Sequence, residues 1–254
     1  MKGNLLVDIG NTRLKWALDT SSGLIPSEKY LSSAIQPDEL VNQHWAQIQA
    51  THVLITCVGN QQVLEQLSAS IFNKWGLDAG VLVSPAMGNG ITNAYAQPEK
   101  LGSDRWAAMV AAMAESKDAV CVVDCGTAVT LDVVSASGLH QGGLIAPGLG
   151  LSRQCLQAGT QINFSEQETE QNLGYLGQST EQCIQLGTKD AICGMINMTY
   201  QQSIERHGAV RLILTGGDAA LLQPCLEYEA LIIPDLVLRG LAEIQRSRLA
   251  EFSS

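Results

Sequence analysis

Basic residues are scarce in this chain. Lysine and arginine number 15 against 25 aspartates and glutamates, a formal net charge of -10 over 254 residues. A non-specific nucleic-acid binder needs a basic surface to displace counterions, so that role is disfavoured. An anionic small molecule stays open to it where a few basic residues are focused in a cleft. Charged residues of both signs make up only 16% and hydrophobic ones 46%, which gives enough apolar surface for a real core and argues against disorder. Long apolar runs are missing too. Nothing approaches the roughly 20 residues of a membrane span, and the first apolar run stops at Asp8, too soon for a signal peptide. No CxxC pair occurs among the seven cysteines (Cys57, Cys121, Cys125, Cys155, Cys183, Cys193 and Cys225). Their odd count and apolar surroundings predict buried free thiols in a reducing compartment rather than disulfides or a zinc site. The phosphate-binding pattern GxxxxGK[ST] is absent. His44, His52, His140 and His207 show no metal-ligand spacing. These absences predict a soluble, cytoplasmic protein with neither membrane nor nucleic acid as a partner.

What the chain does contain is one short phrase twice. Residues 5–12 read LLVDIGNT and residues 121–128 read CVVDCGTA, each followed at once by a second strand-like run. Each copy reads as strand, tight Gly turn, strand. Glycine lets a backbone approach a ligand closely, and consecutive amides in such a turn form an anion-binding concavity. In the first copy Asn11 and Thr12 add donors, Lys15 adds a point charge, and Asp8 offers the oxygen chemistry that Mg²⁺ prefers. One copy alone also suits an ordinary hairpin; two copies point to a nucleotide held between two related halves. Between and after the hairpins, helical spacing covers 63–75, 104–115 and 179–206, and short apolar strands fall at 53–58, 81–83, 210–215 and 231–233. A third strand leads into Gly142-Gly143, and a helix begins near Leu151. The alternation argues α/β, and the hairpins argue for mixed sheets.

Two further motifs stand out. Leu101-Gly102-Ser103-Asp104-Arg105 precedes an Ala-rich helix. Asp and Arg at a helix start suit a cap with a surface ion pair; the sharper reading makes Asp104 a general base and Arg105 a fork for a carboxylate or phosphate. Leu214-Thr215-Gly216-Gly217-Asp218 follows a strand, with glycines that let a ring or ribose lie on the backbone, or with Asp218 simply capping the next helix.

Taken together, DIGNTRLKWAL, Asn93-Ala94-Tyr95, PEKLGSDRW, DCGTAVTLD, GGLIAPGLGLS and LTGGDA resemble, in order and over nearly the whole chain, the type III pantothenate kinases. DxGNT and DxGT alone would indicate only the wider acetate and sugar kinase/Hsp70/actin superfamily. The resemblance implies two related actin-like (ribonuclease H-like) domains with mixed sheets flanked by helices and an active-site cleft between them. Residues 1–117 would carry the first phosphate loop and the GSDR motif, and 118–254 the second phosphate loop and the adenosine-side TGGD. It implies ATP-dependent phosphorylation of pantothenate to 4′-phosphopantothenate, the first step toward coenzyme A, by a homodimer using Mg with ATP and a monovalent cation, K or NH4. Carried over by motif, Asp8, Ile9, Gly10, Asn11, Thr12, Arg13, Leu14 and Lys15 form the first ATP loop, and Thr127 contacts ATP. Asp124 lies at the monovalent-cation site. Tyr95, Gly102, Ser103, Asp104, Arg105 and Thr180 contact pantothenate, and Asp104 accepts its hydroxyl proton. The family's sites lie near the subunit interface, so Thr180 serves either its own or the neighbouring subunit's site. Two competing readings are a different small-molecule kinase of the superfamily and a regulatory accessory factor in transcription. LGSDR and Tyr95 count against the first, and the acidic charge counts against the second.

Overall fold

A computed structural model describes residues 1–27, 31–32, 35–160 and 174–251. The chain divides into two compact units. The first comprises Met1–Lys117, Ser137–His140 and Asp235–Ser254, and the second Asp118–Ala136 and Gln141–Pro234.

The first unit is built on the expected hairpin, β1 (Lys2–Ile9) and β2 (Arg13–Thr20). It continues through β3 (Gly23–Pro26), β4 (Leu31–Ser32), the short helical turn α1 (Pro37–Glu39), β5 (Gln49–Cys57), helix α2 (Gln61–Trp75) and β6 (Gly80–Val81). The strands lie in the order β3-β2-β1-β5-β6, with β4 also on β2. β1 pairs antiparallel with β2 and parallel with β5, so the sheet is mixed, as the opening hairpin predicts. Helix α2 starts where Asn60 accepts from the Gln62 amide and ends at Gly76, whose φ is 66°. Its apolar side, Leu64, Leu67 and Ile71, packs on the buried face of β1 and β5. Leu40, Val41, Trp45 and Ile48 are all buried there, and residues 40–44 wind as a π-helix. Three tryptophans share this core: the Trp45 ring lies 6.2 Å from both Trp16 and Trp75. Between Ser84 and Pro98 the chain forms a small hairpin, β7 (Met87–Gly88) and β8 (Ile91–Thr92), and then helix α3 (Ser103–Ala114).

The second unit repeats the plan. β9 (Ala119–Cys125), β10 (Ala128–Val134), β11 (His140–Pro147), β12 (Val210–Thr215) and β13 (Leu231–Ile232) lie in the order β11-β10-β9-β12-β13, the counterpart of β3-β2-β1-β5-β6. Here too the first strand pairs antiparallel with the second and parallel with the fourth. Helices α4 (Leu149–Gly159), α5 (Thr180–His207) and α6 (Ala219–Leu222) complete it. One detail differs from the sequence reading. β11 does not stop at Gly142-Gly143 but runs on to Pro147, Gly142 taking φ +104 within it. At the start of α5, Ser179 Oγ accepts from the Gln182 amide at 3.3 Å, while Gln182 Oε1 accepts from the Gln178 amide at 2.8 Å.

The C-terminal helix, Leu236–Glu251, follows the second unit in sequence yet belongs to the first. A sequence division at 117/118 assigns it to the second domain. Its apolar side packs on α3, and at Gly240 the crossing is so close that a Cβ would strike the Ala107 carbonyl. The salt bridge from Arg246 to the buried Asp19 carboxylate ties the same helix to β2.

All seven cysteines are free. Cys121, Cys125 and Cys193 are buried as expected, Cys57 and Cys225 are half-buried, and Cys155 and Cys183 are exposed instead. Burial pushes the Cys121 thiol up to about 12, with the Asp132 charge adding to it; burial likewise raises Cys125 and takes Cys193 to about 12. Since the thiolate is the reactive form, iodoacetamide at neutral pH should leave Cys121, Cys125 and Cys193 unmodified in the folded protein and label them in denaturant. Mass spectrometry that finds any of the three modified under native conditions would contradict this packing.

Candidate functional site

The first loop grows out of the β1–β2 hairpin. Gly10 N–H donates to the Arg13 carbonyl at 3.0 Å and closes the turn, leaving Asn11 and Thr12 exposed at its tip. Asp8 ends the buried strand. It stands opposite Lys15 on the antiparallel side and opposite Thr56 on the parallel side. Gly59 passes so near the turn that a Cβ there would lie 2.6 Å from the Gly10 carbonyl oxygen. Burial raises the Cys57 thiol, a hydrogen bond from the Gly59 backbone opposes this, and the Asp8 charge adds to it.

The LGSDR motif opens α3, where the helix N-terminus favours an acidic side chain. Arg105 N–H donates to Asp104 Oδ1 at 2.8 Å and holds one carboxylate oxygen. Gly102 makes room for it, since a Cβ at 102 would stand 2.5 Å from that oxygen. Ser103 faces inward, its hydroxyl 2.5 Å from the Thr56 hydroxyl, both buried. This bond joins the helix start to the strand beside Asp8, so the two motifs share one rigid frame. Thr56 was not singled out in the sequence: one threonine in an apolar strand carries no signal until its neighbours are known. A threonine recurs at the corresponding place in the second unit, where Thr215 stands opposite Asp124.

Arg105 is 6% exposed. Its Nη1 donates to the Tyr95 hydroxyl at 3.0 Å, and the guanidinium lies 5.8 Å from the centre of the Tyr95 ring. Tyr95 is held by its own backbone, whose N–H donates to Asn93 Oδ1 at 3.0 Å, while Asn93 Nδ2 donates to the Pro85 and Pro98 carbonyls. The sequence-predicted Tyr95 and Arg105 are therefore in direct contact. A buried guanidinium fork beside a phenol suits recognition of a planar anion such as a carboxylate.

In the second unit, Gly126 and Thr127 form the turn between β9 and β10, just after Asp124 near the end of β9, with Thr127 exposed. Two glycines pack on the turn from within the unit. A Cβ on Gly148 would strike the Gly126 carbonyl, and Gly148 N–H donates to the Thr127 carbonyl at 2.9 Å. Gly216, at φ +90, lies against Asp124 Oδ1 and the Cys125 backbone. Asp218 N–H donates to the Cys125 carbonyl at 3.0 Å, so the TGGD turn is bound to the DCGT turn. Asp218 occupies the cap position of α6 without a side-chain cap bond. Thr180 is exposed at the first residue of α5.

As to metals, no group of three or more His, Cys, Asp or Glu side chains gathers among the described residues. Single carboxylates at strand ends fit an ion that takes its remaining ligands from water and phosphate oxygens, as Mg²⁺ does. At Asp124 the absent Cβ of Gly216 lets the backbone of the TGGD turn close on the carboxylate oxygen and on the Cys125 carbonyl.

Comparison with known proteins gives consistent findings. A family model described as type III pantothenate kinase matches residues 4–202. A type III pantothenate kinase from Nitrosococcus oceani is 35% identical over 250 residues, covering 95% of this chain and 93% of its own. One from Pseudomonas aeruginosa is 35% identical over 248 residues, covering 94% and 97%. Among solved structures, a Baf family transcriptional activator from Campylobacter jejuni superposes with a TM-score of 0.59 at 23% identity, over 97% of this chain and 99% of the other. A 2-dehydro-3-deoxygalactonokinase from Sinorhizobium meliloti gives 0.56 at 12% identity, over 96% and 99%. At those identities the structures speak to the fold alone, two mixed-sheet units flanked by helices.

Proposed function

The chain belongs to the type III pantothenate kinases, and on that premise we propose that it transfers the γ-phosphoryl group of ATP to the primary hydroxyl of pantothenate, with Asp104 as general base. The products are 4′-phosphopantothenate and ADP, and the hydroxyl proton passes to the Asp104 carboxylate. One observation carries the reading: a carboxylate and a buried guanidinium sit side by side at the start of α3, bonded through Ser103 and Thr56 to the strand beside Asp8. Pantothenate is a hydroxy acid, and this frame offers a base for its hydroxyl and a fork for its carboxylate.

Phosphoryl transfer calls mainly for positioning and charge neutralisation. Gly10, Asn11, Thr12 and Lys15 supply amides, donors and a cation to the ATP phosphates, and Thr127 adds a second contact from its own turn. Tyr95, Gly102, Ser103 and Arg105 hold pantothenate, joined by Thr180 of the same or the neighbouring subunit in a homodimer. Asp8 would hold Mg²⁺ through oxygen or water, and Asp124 the monovalent cation. When bound, these ions neutralise charge on phosphates that few basic residues surround. No helix among the described residues is long and apolar enough to cross a membrane, and seven free thiols fit the reducing cytoplasm.

A coupled assay of ADP release tests the proposal. Turnover should require pantothenate and rise when potassium or ammonium is added. Absence of pantothenate-dependent turnover, with and without potassium, would overturn it.

A further inference from the structure

His140 is a buried titratable side chain, 2% exposed, that the phosphoryl chemistry above does not use. It lies 45 positions from Tyr95 in sequence and reaches it through the hairpin tip at Ser137–His140, which belongs to the first unit. The tip is docked on the β7–β8 hairpin. Thr92 N–H donates to the Gly138 carbonyl at 2.9 Å, Thr92 and Leu139 form a parallel bridge, and Gly138, at φ +80, approaches Gly90 too closely for any Cβ. The next residue is His140. Its ring stacks on Tyr95, 6.3 Å between centroids and 13° between planes. Its Nδ1 accepts from the Ala94 N–H at 3.4 Å.

These contacts form one chain. His140 holds the Tyr95 ring and the adjoining backbone, and Tyr95 holds the Arg105 guanidinium through its hydroxyl and ring face. We infer that His140 is a positioning residue for substrate specificity, fixing Tyr95 so that Arg105 presents its fork to the carboxylate of pantothenate. The inference rests on the reading of Arg105 as the carboxylate-binding group. A guanidinium fork is pre-organised only if its own orientation is held, and a stacked ring with a backbone bond holds Tyr95 at two points. Such support should act on carboxylate recognition and spare the hydroxyl end, where Asp104 and the phosphates meet.

The test compares pantothenate with its alcohol analogue, in which a hydroxymethyl group replaces the carboxylate. Variants His140→Ala and His140→Phe are measured beside Arg105→Lys, with melting curves for each. Removing a stacked ring and a backbone hydrogen bond should raise KM for pantothenate about tenfold in His140→Ala. The kcat and the KM for the alcohol analogue should stay within about twofold. His140→Phe keeps the ring and loses only the acceptor, so its shift should be smaller. Arg105→Lys should raise KM for pantothenate and leave the alcohol analogue nearly unchanged. If Arg105→Lys behaves so and both His140 variants leave the two KM values alone, the positioning role is wrong while the Arg105 reading stands. If Arg105→Lys does not discriminate between the substrates, the Arg105 reading fails and takes this inference with it. Equal losses of kcat on both substrates in His140→Phe would mark His140 as merely structural and overturn the inference.

Discussion

Asp104→Asn should lower kcat with pantothenate by about 10²–10⁴-fold, the usual worth of a positioned general base. That corresponds to about 3–5 kcal/mol of transition-state stabilisation. The substitution is close to isosteric. An asparagine Oδ1 can still accept the Arg105 N–H that now lies 2.8 Å from the carboxylate, and Gly102 still clears the side chain. The helix start and the Ser103–Thr56 bond therefore persist. What disappears is the ability to take a proton from the hydroxyl. ATP binding should change little, because the Gly10–Lys15 turn proposed to hold the phosphates is untouched, and melting should stay near that of the parent. Single-turnover measurements with saturating ATP separate the chemical step from binding. Full turnover in Asp104→Asn would remove Asp104 from the base role and leave it an acidic residue in the first turn of α3.

Gly216→Ala should be the most damaging small substitution in the second unit. Gly216 holds φ +90, a conformation that costs an L-residue about 1–2 kcal/mol. A Cβ there would also press on Asp124 Oδ1 and stand 2.5 Å from the Cys125 carbonyl carbon and oxygen. Overpacking of this kind costs about 1–3 kcal/mol. The backbone cannot yield easily, because Asp218 N–H is bonded to that same Cys125 carbonyl and β12 is paired with β9 up to Thr215. The two terms predict a melting-temperature drop of roughly 5–15 °C. Displacement of Asp124 should weaken ATP binding and blunt the potassium response together. Gly194→Ala supplies the contrast: Gly194 lies exposed in the middle of α5 with open space around it, and alanine there should stabilise by about 0.5–1 kcal/mol. Melting curves and ATP titrations of the two variants check the difference. A Gly216→Ala protein as stable as its parent would show that the turn is not packed as described.

Much of the fold is legible because it is encoded locally. The DIGNT and DCGTA hairpins announce themselves by turn chemistry, and α2 and α5 by their helical spacing. Even the mixed sheets follow from a hairpin at the head of each half. Within the candidate site, Asp104 and Arg105 are conspicuous because charged residues are few and stand together at a helix start. Other features are silent. β11 runs through Gly142-Gly143 where glycine pairs suggest a break, because pairing with β10 decides the strand. Thr56 looks like any threonine in an apolar strand. His140 sits outside every motif.

The sequence by itself determined the doubled strand–turn–strand plan, the α/β class, the family and the motif residues, since each rests on short-range pattern and chemistry. Only the tertiary structure decided which pieces meet. It returned the C-terminal helix to the first unit, because its Gly240 face fits closely over Ala107 of α3. It joined the Asp8 strand to the helix start through Thr56 and Ser103, and it brought His140 against Tyr95. Burial and hydrogen-bond satisfaction act between residues far apart in the chain, and neither leaves a periodic mark on the sequence.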